Sequence, residues 1–312
     1  MTSDPFVDRP SEDTGWNHAF GPGSENGVRP HYVRPGGDGE PAVVLLHGWP
    51  GFWYDWRRLL PLLAEEGVDA VAPDFRGFGD SDRPELPPER YATEKLYALD
   101  VLALLDYLGV GRCVVVGYDL GAAVAQAIAR WSPERVSALV LFNPSYPGIG
   151  ERRYEPWAQR ETWYQHLHVL PFSDRLVGYN RDTVELYLGH FYDHWVGNKE
   201  SVRPEEFRAI VDAFARPGAM RASLGWYRAR AAERERRGSA YPETPEKIAC
   251  PTIVLWGEDD PVCPPKLSDR LGEFFPNLVS LRRLAGVGHF VPFEAPEEAL
   301  EAIREAREVP SW

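Results

Sequence analysis

Five short apolar runs punctuate the chain, each closed by glycine, an acid or asparagine. They are AVVLLHG (Ala42–Gly48), DAVAPDFRG (Asp69–Gly77), CVVVGYD (Cys113–Asp119), VSALVLFN (Val136–Asn143) and TIVLWGEDD (Thr252–Asp260). None alternates strictly with polar positions, so the strands they predict are covered on both faces, as in a parallel sheet. Between them the period changes. TEKLYALDVLALLDYLG (Thr93–Gly109) carries a threonine cap, apolar residues three and four apart, and a glycine stop. LGAAVAQAIARW (Leu120–Trp131) is a second helix, with small residues on its packing side. Strand and helix alternate, which predicts an α/β fold with a mostly parallel, doubly wound sheet and crossover helices.

The rhythm stops at Ser145 and resumes near Ile248. Between them lie helical patterns rich in Trp, Tyr, His and Arg, such as RDTVELYLGHFYDHW and PEEFRAIVDAFAR. The expected organisation is a core of residues 14–144 and 246–312, a helical insertion over 145–245, and a mobile tail at 1–13. An insertion between two core strands sits at the carboxyl end of the sheet, where open α/β sheets bind ligands, so it is expected to form a lid.

Composition narrows the function. In 312 residues, 44% are hydrophobic and 12% aromatic, enough for a sizeable core. A net charge of −13 argues against nucleic acid and anionic membrane surfaces as partners. The three cysteines, Cys113, Cys250 and Cys263, are too few and too scattered for a disulfide framework or a zinc site. No stretch approaches the roughly 18 apolar residues of a membrane span, and the polar, acidic start is not a signal peptide. A cytoplasmic protein, monomer or homodimer, is expected.

The chemistry begins at Gly117–Tyr118–Asp119–Leu120–Gly121, a small-x-acid-x-small pentad between a strand and a helix. With serine at its centre this layout is the nucleophile elbow of α/β-hydrolases. The following helix dipole favours a carboxylate there, although a glycine-flanked acid is also an ordinary helix cap. Three further strand ends weigh against the cap. HGWP (His47–Pro50) would present the Trp49 N–H to an oxyanion, with the Leu120 N–H as its partner. WGEDDPV places Asp260 after a late strand, chosen over Glu258 and Asp259 for its Gly-x-x-Asp spacing. GVGHFVPFEAPEE places His289 in a glycine-rich turn. The order nucleophile, acid, histidine is that of the α/β-hydrolases. Asn143 stands where some relatives carry the acid; it is a local hydrogen-bonding residue.

LHGWPGFWYDWRRLLPLLAEEGVDAVAPDFRGFGDSDRP (Leu46–Pro84), GYDLG, GEDDPV and GVGHFVPFEAPEE together resemble the soluble epoxide hydrolases of the α/β-hydrolase fold, relatives of haloalkane and haloacetate dehalogenases. The resemblance implies an α/β-hydrolase core with a lid and a vicinal diol made through an aspartyl ester on Asp119. His289 and Asp260 would activate water, and no cofactor or metal would take part. It also implies two lid tyrosines that point into the pocket of a small-molecule epoxide substrate. GWYRA gives Tyr227 as one; ETWYQHL gives Tyr164 as the other, with Trp163 as the competing alignment. Trp163 and Tyr118 are the further substrate-binding candidates. The aromatic insertion suggests a bulky or aromatic epoxide. Leu120 replaces the tryptophan or arginine with which the dehalogenases grip halide or carboxylate, and Tyr118 replaces a histidine. The alternative is a hydrolytic dehalogenase using the same aspartate; a receptor without turnover is the reading from another class. His190 and His194, four apart, lack a third ligand and are read as surface residues, as is the mixed-charge run RARAAERERR (Arg228–Arg237). His166 and His168 are candidates to line the pocket, and His47 to support the oxyanion loop.

Overall fold

The computed structural model describes residues 16–23, 28–36, 42–84, 87, 90, 92–237 and 247–310. The tail at 1–13 and the far end of the insertion lie outside the described residues. Eight strands form one sheet: β1 (Asn17–Phe20), β2 (His31–Arg34), β3 (Val43–Leu46), β4 (Ala70–Pro73), β5 (Cys113–Tyr118), β6 (Val136–Phe142), β7 (Thr252–Gly257) and β8 (Leu278–Leu284), in the order β1-β2-β4-β3-β5-β6-β7-β8. Pairing is parallel from β4 through β8 and antiparallel at β1–β2 and β2–β4. This is the expected α/β-hydrolase architecture, with three strands added at the two sides.

The five strands marked by apolar runs are the central ones, and β3, β4, β5 and β7 are buried along their whole length. Helices α1 (Leu59–Glu65), α2 (Glu94–Tyr107) and α3 (Leu120–Trp131) connect the first of them. The Thr93 hydroxyl accepts the Leu96 N–H at 3.3 Å and so caps α2, while Gly109, at φ +75°, ends the turn beyond it. In α3 the small residues Gly121, Ala122, Ala125 and Ala129 are buried, which lets the helix lie close on the sheet.

Between β6 and β7 come α4 (Pro156–Glu161), α5 (Trp163–His168), α6 (Ser173–Val177), α7 (Arg181–His194), α8 (Pro204–Ala215), α9 (Ala219–Ser223) and α10 (Gly225–Arg237), with no strand among the described residues. After β7, α11 (Leu271–Phe274), α12 (Val291–Glu294) and α13 (Pro296–Glu308) finish the core. The insertion is riveted to the core by buried polar contacts. Glu206 of α8 accepts from Arg57 Nε at 2.9 Å and Arg58 Nη2 at 2.8 Å. Burial by itself raises the Glu206 carboxyl, but the guanidinium groups of Arg57 and Arg203 prevail and hold it well below the usual range. Tyr192 donates its hydroxyl to the Pro50 carbonyl at 2.7 Å, so α7 rests directly on the loop after β3. Among the described residues no helix is long and apolar enough to cross a membrane.

Candidate active site

Asp119 sits in the turn from β5 into α3 at φ +49°, ψ −118°, a backbone region that costs a non-glycine residue of order 1–3 kcal/mol. The surrounding glycines explain how it is held there. A Cβ on Gly121 would lie 2.0 Å from the Leu46 carbonyl oxygen, and one on Gly117 would lie 2.5 Å from the Gly121 carbonyl oxygen. A Cβ on Gly48 would lie 2.7 Å from the Asp119 Cβ. Strand β3, strand β5 and helix α3 therefore meet with no room for a methyl group, and the Asp119 side chain has one way out, above the sheet. Gly121→Ala is expected to destabilise the protein by about 1–3 kcal/mol or more, because a backbone carbonyl of β3 has to move. Gly111→Ala, where an added Cβ meets nothing within 4 Å, is the matched control, expected within about 0.5 kcal/mol of the parent in urea denaturation.

Asp119 Oδ1 accepts the Trp49 N–H at 2.8 Å, and Oδ2 lies 3.5 Å from His289 Nε2. His289 donates Nδ1–H to Asp260 Oδ2 at 2.8 Å. Asp260 Oδ1 in turn accepts the N–H groups of Val262 at 2.8 Å and Cys263 at 3.0 Å, which fix the carboxylate after β7. His289 and Asp260 are buried; the Asp119 side chain keeps 20% of its surface. Burial pulls the His289 imidazole down, but the negative charges of Asp260 and Asp119 outweigh it and raise the ring to about 10. Asn143, also at positive φ (+42°), bridges the strand ends: its Nδ2 donates to Gly288 O at 3.1 Å and its Oδ1 accepts the Gly257 N–H at 2.7 Å. The loop carrying His289 is thereby tied to β6 and β7.

Trp49 offers its N–H from the loop after β3, and Leu120 opens α3, where a first-turn N–H has no partner in its own helix. Beneath them lies Tyr118. It is fully buried, and its hydroxyl donates to Asp55 Oδ2 at 2.6 Å. This corrects Tyr118 as a substrate-binding residue: successive strand residues face opposite ways, so the chain that presents Asp119 to the cavity turns Tyr118 into the core. Asp55 was not singled out in the sequence. Burial dominates its titration and raises it to about 7, despite the Tyr118 hydroxyl. His47 supports the same loop, donating Nδ1–H to Gly48 O at 2.9 Å and accepting the Phe75 N–H on Nε2 at 3.0 Å.

A cavity of about 300 Å³ opens at Asp119, its lining including Leu120, Ile149, Tyr164, Trp226, Tyr227 and Val262. Tyr164 lies parallel to the Trp49 indole at 5.4 Å between centroids, and Tyr227 stands edge-on to both, 5.7 Å from each. Burial first, then the nearby Asp119 charge, push the Tyr164 phenol well above 10; for Tyr227 burial, Tyr164 and Asp119 act in that order. Both stay protonated. Trp163 is corrected as a substrate-binding residue. It is 41% exposed, does not line the cavity, and stacks on Phe191 at 6.2 Å. Neighbours on a helix point about 100° apart, so α5 turns Tyr164 inward and Trp163 outward.

The histidines divide. His166 lines the cavity, whereas His168 is buried behind Tyr227 at 4.4 Å and meets the Tyr187 hydroxyl at 2.6 Å. Burial, then Arg228, hold His168 well below 6.5, so it is neutral. His194 pairs with Glu161 at 2.7 Å. The group of potential metal ligands found among the described residues is His18, His31 and Asp80, and Asp74 holds His31 Nδ1 at 2.8 Å.

Residues 41–296 match the model of the alpha/beta hydrolase fold family. Epoxide hydrolase 4 of Mus musculus is 30% identical over 277 residues, covering 88% of this chain and 74% of the relative. Epoxide hydrolase A of Mycobacterium tuberculosis is 30% identical over 311 residues, covering 90% of this chain and 94% of the relative. Among solved structures, the epoxide hydrolase CorEH superposes with a TM-score of 0.75 at 25% identity, covering 93% of this chain and 98% of that one.

Proposed function

This chain belongs to the α/β hydrolase fold family, and from that premise we propose that it hydrolyses epoxides to vicinal diols through an ester on Asp119. Relatives named epoxide hydrolases, at about 30% identity over most of the chain, support the reaction class. One observation carries the mechanism: a partly exposed carboxylate, 3.5 Å from the imidazole of a buried His289–Asp260 pair, lines a cavity whose wall also holds two protonated phenols. A serine in this turn suits a carbonyl substrate. A carboxylate suits displacement at a saturated carbon, because it needs no deprotonation and the ester it forms is itself hydrolysable.

The Trp49 N–H engages Oδ1 and leaves Oδ2 as the attacking atom. Oδ2 forms a bond to one ring carbon as that carbon's bond to the epoxide oxygen breaks. Tyr227 and Tyr164 donate to the departing oxygen and supply its proton. In the second half, His289 Nε2 takes a proton from water, and the hydroxide adds to Cγ of Asp119. The oxyanion forms against the N–H groups of Trp49 and Leu120. The acyl C–O bond then breaks, the diol oxygen takes the proton from His289, and the proton left on the Asp119 carboxyl passes through water to the phenolate formed in the first half, so that Asp119, His289 and the phenol are all restored. No redox step or added cofactor enters this balance.

The dehalogenase reading needs donors for a halide. Leu120 has none, Trp163 points away, and the Trp49 indole N–H is turned to Ser223 Oγ at 3.4 Å. Epoxide opening needs a proton, which the phenols provide. Tyr227→Phe and Tyr164→Phe are each expected to slow ester formation by about 10²-fold, and the double variant by about 10³-fold or more. Rapid-quench kinetics with styrene oxide measures this. Unchanged ester formation in the double variant removes the phenols from the mechanism.

A further inference from the structure

The wall of the cavity combines aromatic and cationic side chains. Trp226, Tyr227, Arg230, Ala231 and Arg234 all line it, which is one face of α10 read at i, i+3 or i+4, i+7 or i+8. Arg153, from the turn after β6, lines it as well. Among the described lining residues Asp119 is the one carboxylate. A chain of net charge −13 thus places three arginines in the wall of the cavity that holds Asp119. The mixed-charge run is solvated at Arg234, Glu235 and Arg236, as expected, and two of its cations, half-buried Arg230 and exposed Arg234, also border the cavity.

We propose that these arginines form a carboxylate-binding subsite, so that the substrate is an epoxide bearing an anionic group at a fixed distance from the ring. The inference rests on the epoxide hydrolase reading and deepens it. At 1.5 Å rise per residue, Arg230 and Arg234 lie about 4.5 and 10.5 Å along the helix axis from Tyr227, which holds the epoxide oxygen. The anionic group therefore stands roughly one ring's length away from the epoxide rather than on it. Arg230 is already partly held in place, with its guanidinium carbon 5.2 Å from the Trp226 ring centroid. Glu94 Oε2 stands 3.8 Å from its Nη1, an ion pair too long for a hydrogen bond. Arginine presents a planar fork that matches a carboxylate two bonds at a time. Trp226 and Trp157, both in the lining, offer flat apolar surface for the spacer between the two ends.

The test compares matched acids and esters. One pair is 4-(oxiran-2-yl)benzoate and its methyl ester; the other is glycidate and methyl glycidate, whose carboxylate is too close to the ring to reach. Diol formation is followed in the parent and in Arg230→Gln/Arg234→Gln. The expected result is a kcat/KM ratio of benzoate to ester of about tenfold or more at low salt. That ratio collapses toward unity in the double variant and falls with added sodium chloride, while the glycidate pair shows no such preference. A benzoate-to-ester ratio at or below unity in the parent, or one unmoved by the double substitution, overturns the subsite. If neither epoxide is opened, the epoxide reading itself falls. Titration calorimetry of the product diol, 4-(1,2-dihydroxyethyl)benzoate, against its methyl ester then still decides the subsite: about tenfold tighter binding of the acid, lost in the double variant, upholds it, and equal binding overturns it.

Discussion

Asp119→Ala is expected to lower diol formation from styrene oxide by about 10⁴-fold or more, to the uncatalysed background. The size of the loss follows from the division of labour. If Asp119 becomes bonded to the substrate, nothing that remains can make that bond: His289 is buried, Asp260 is spent on His289, and the phenols donate rather than attack. If Asp119 only oriented a water molecule, its loss would be partial. Asp119→Asn separates the nucleophile from the fold. The amide oxygen still accepts the Trp49 N–H but carries no charge with which to open a ring. Both variants are expected to melt cooperatively and to make no diol. Near-parent turnover in either one sinks the covalent mechanism.

The centre of the sheet was legible because burial on both faces leaves a continuous apolar signature, as in Val43–Leu46 and Thr252–Gly257. The sides were not. Strand β8, Leu278–Leu284, is an edge strand that carries Arg282 and Arg283 in its second half, and edges tolerate charge. Strands β1 and β2 are four residues each, too short to show a period. The catalytic candidates followed a related rule. Asp119, Asp260 and His289 follow strand ends, where an α/β sheet gathers its ligands, and the structure sets them within 3.5 Å of one another in series. What a linear reading lacked was direction. Trp163 and Tyr164 are adjacent and equally aromatic, and the register of α5 alone decides which one faces the cavity. Tyr118 stands beside Asp119 in sequence and lies beneath it in the core. Its hydroxyl closes a buried bond with Asp55 of the WYDW stretch, so the turn holding Asp119 and the loop holding Trp49 share one foundation.

His289→Gln is expected to leave ring opening largely intact and to slow ester hydrolysis by about 10³- to 10⁴-fold, so that a covalent adduct builds up on Asp119. Intact mass spectrometry then reads the parent mass plus one epoxide, and a peptide map places the addition on Asp119. The prediction turns on how charge changes during the cycle. In the free enzyme Asp260 and Asp119 together overcome burial and raise His289 to about 10, so at neutral pH the ring is protonated beside Asp119. Ester formation removes the Asp119 charge. One of the two supports is gone, burial gains weight, and the imidazole pKa falls, releasing a neutral base when water has to be activated. Single-turnover ester hydrolysis should therefore rise with pH through an apparent pKa below that of the free enzyme. In the resting protein the sign is that of a raised histidine. Its contribution to stability is complete below about 6.5 and is lost as pH climbs through about 10, a loss that His289→Gln does not show. In ¹⁸O-water the first turnover should put label into the Asp119 carboxylate and none into the diol. Label in the first diol, or failure of His289→Gln to accumulate an adduct while still consuming epoxide, means that water attacks the ring directly and Asp119 is its base.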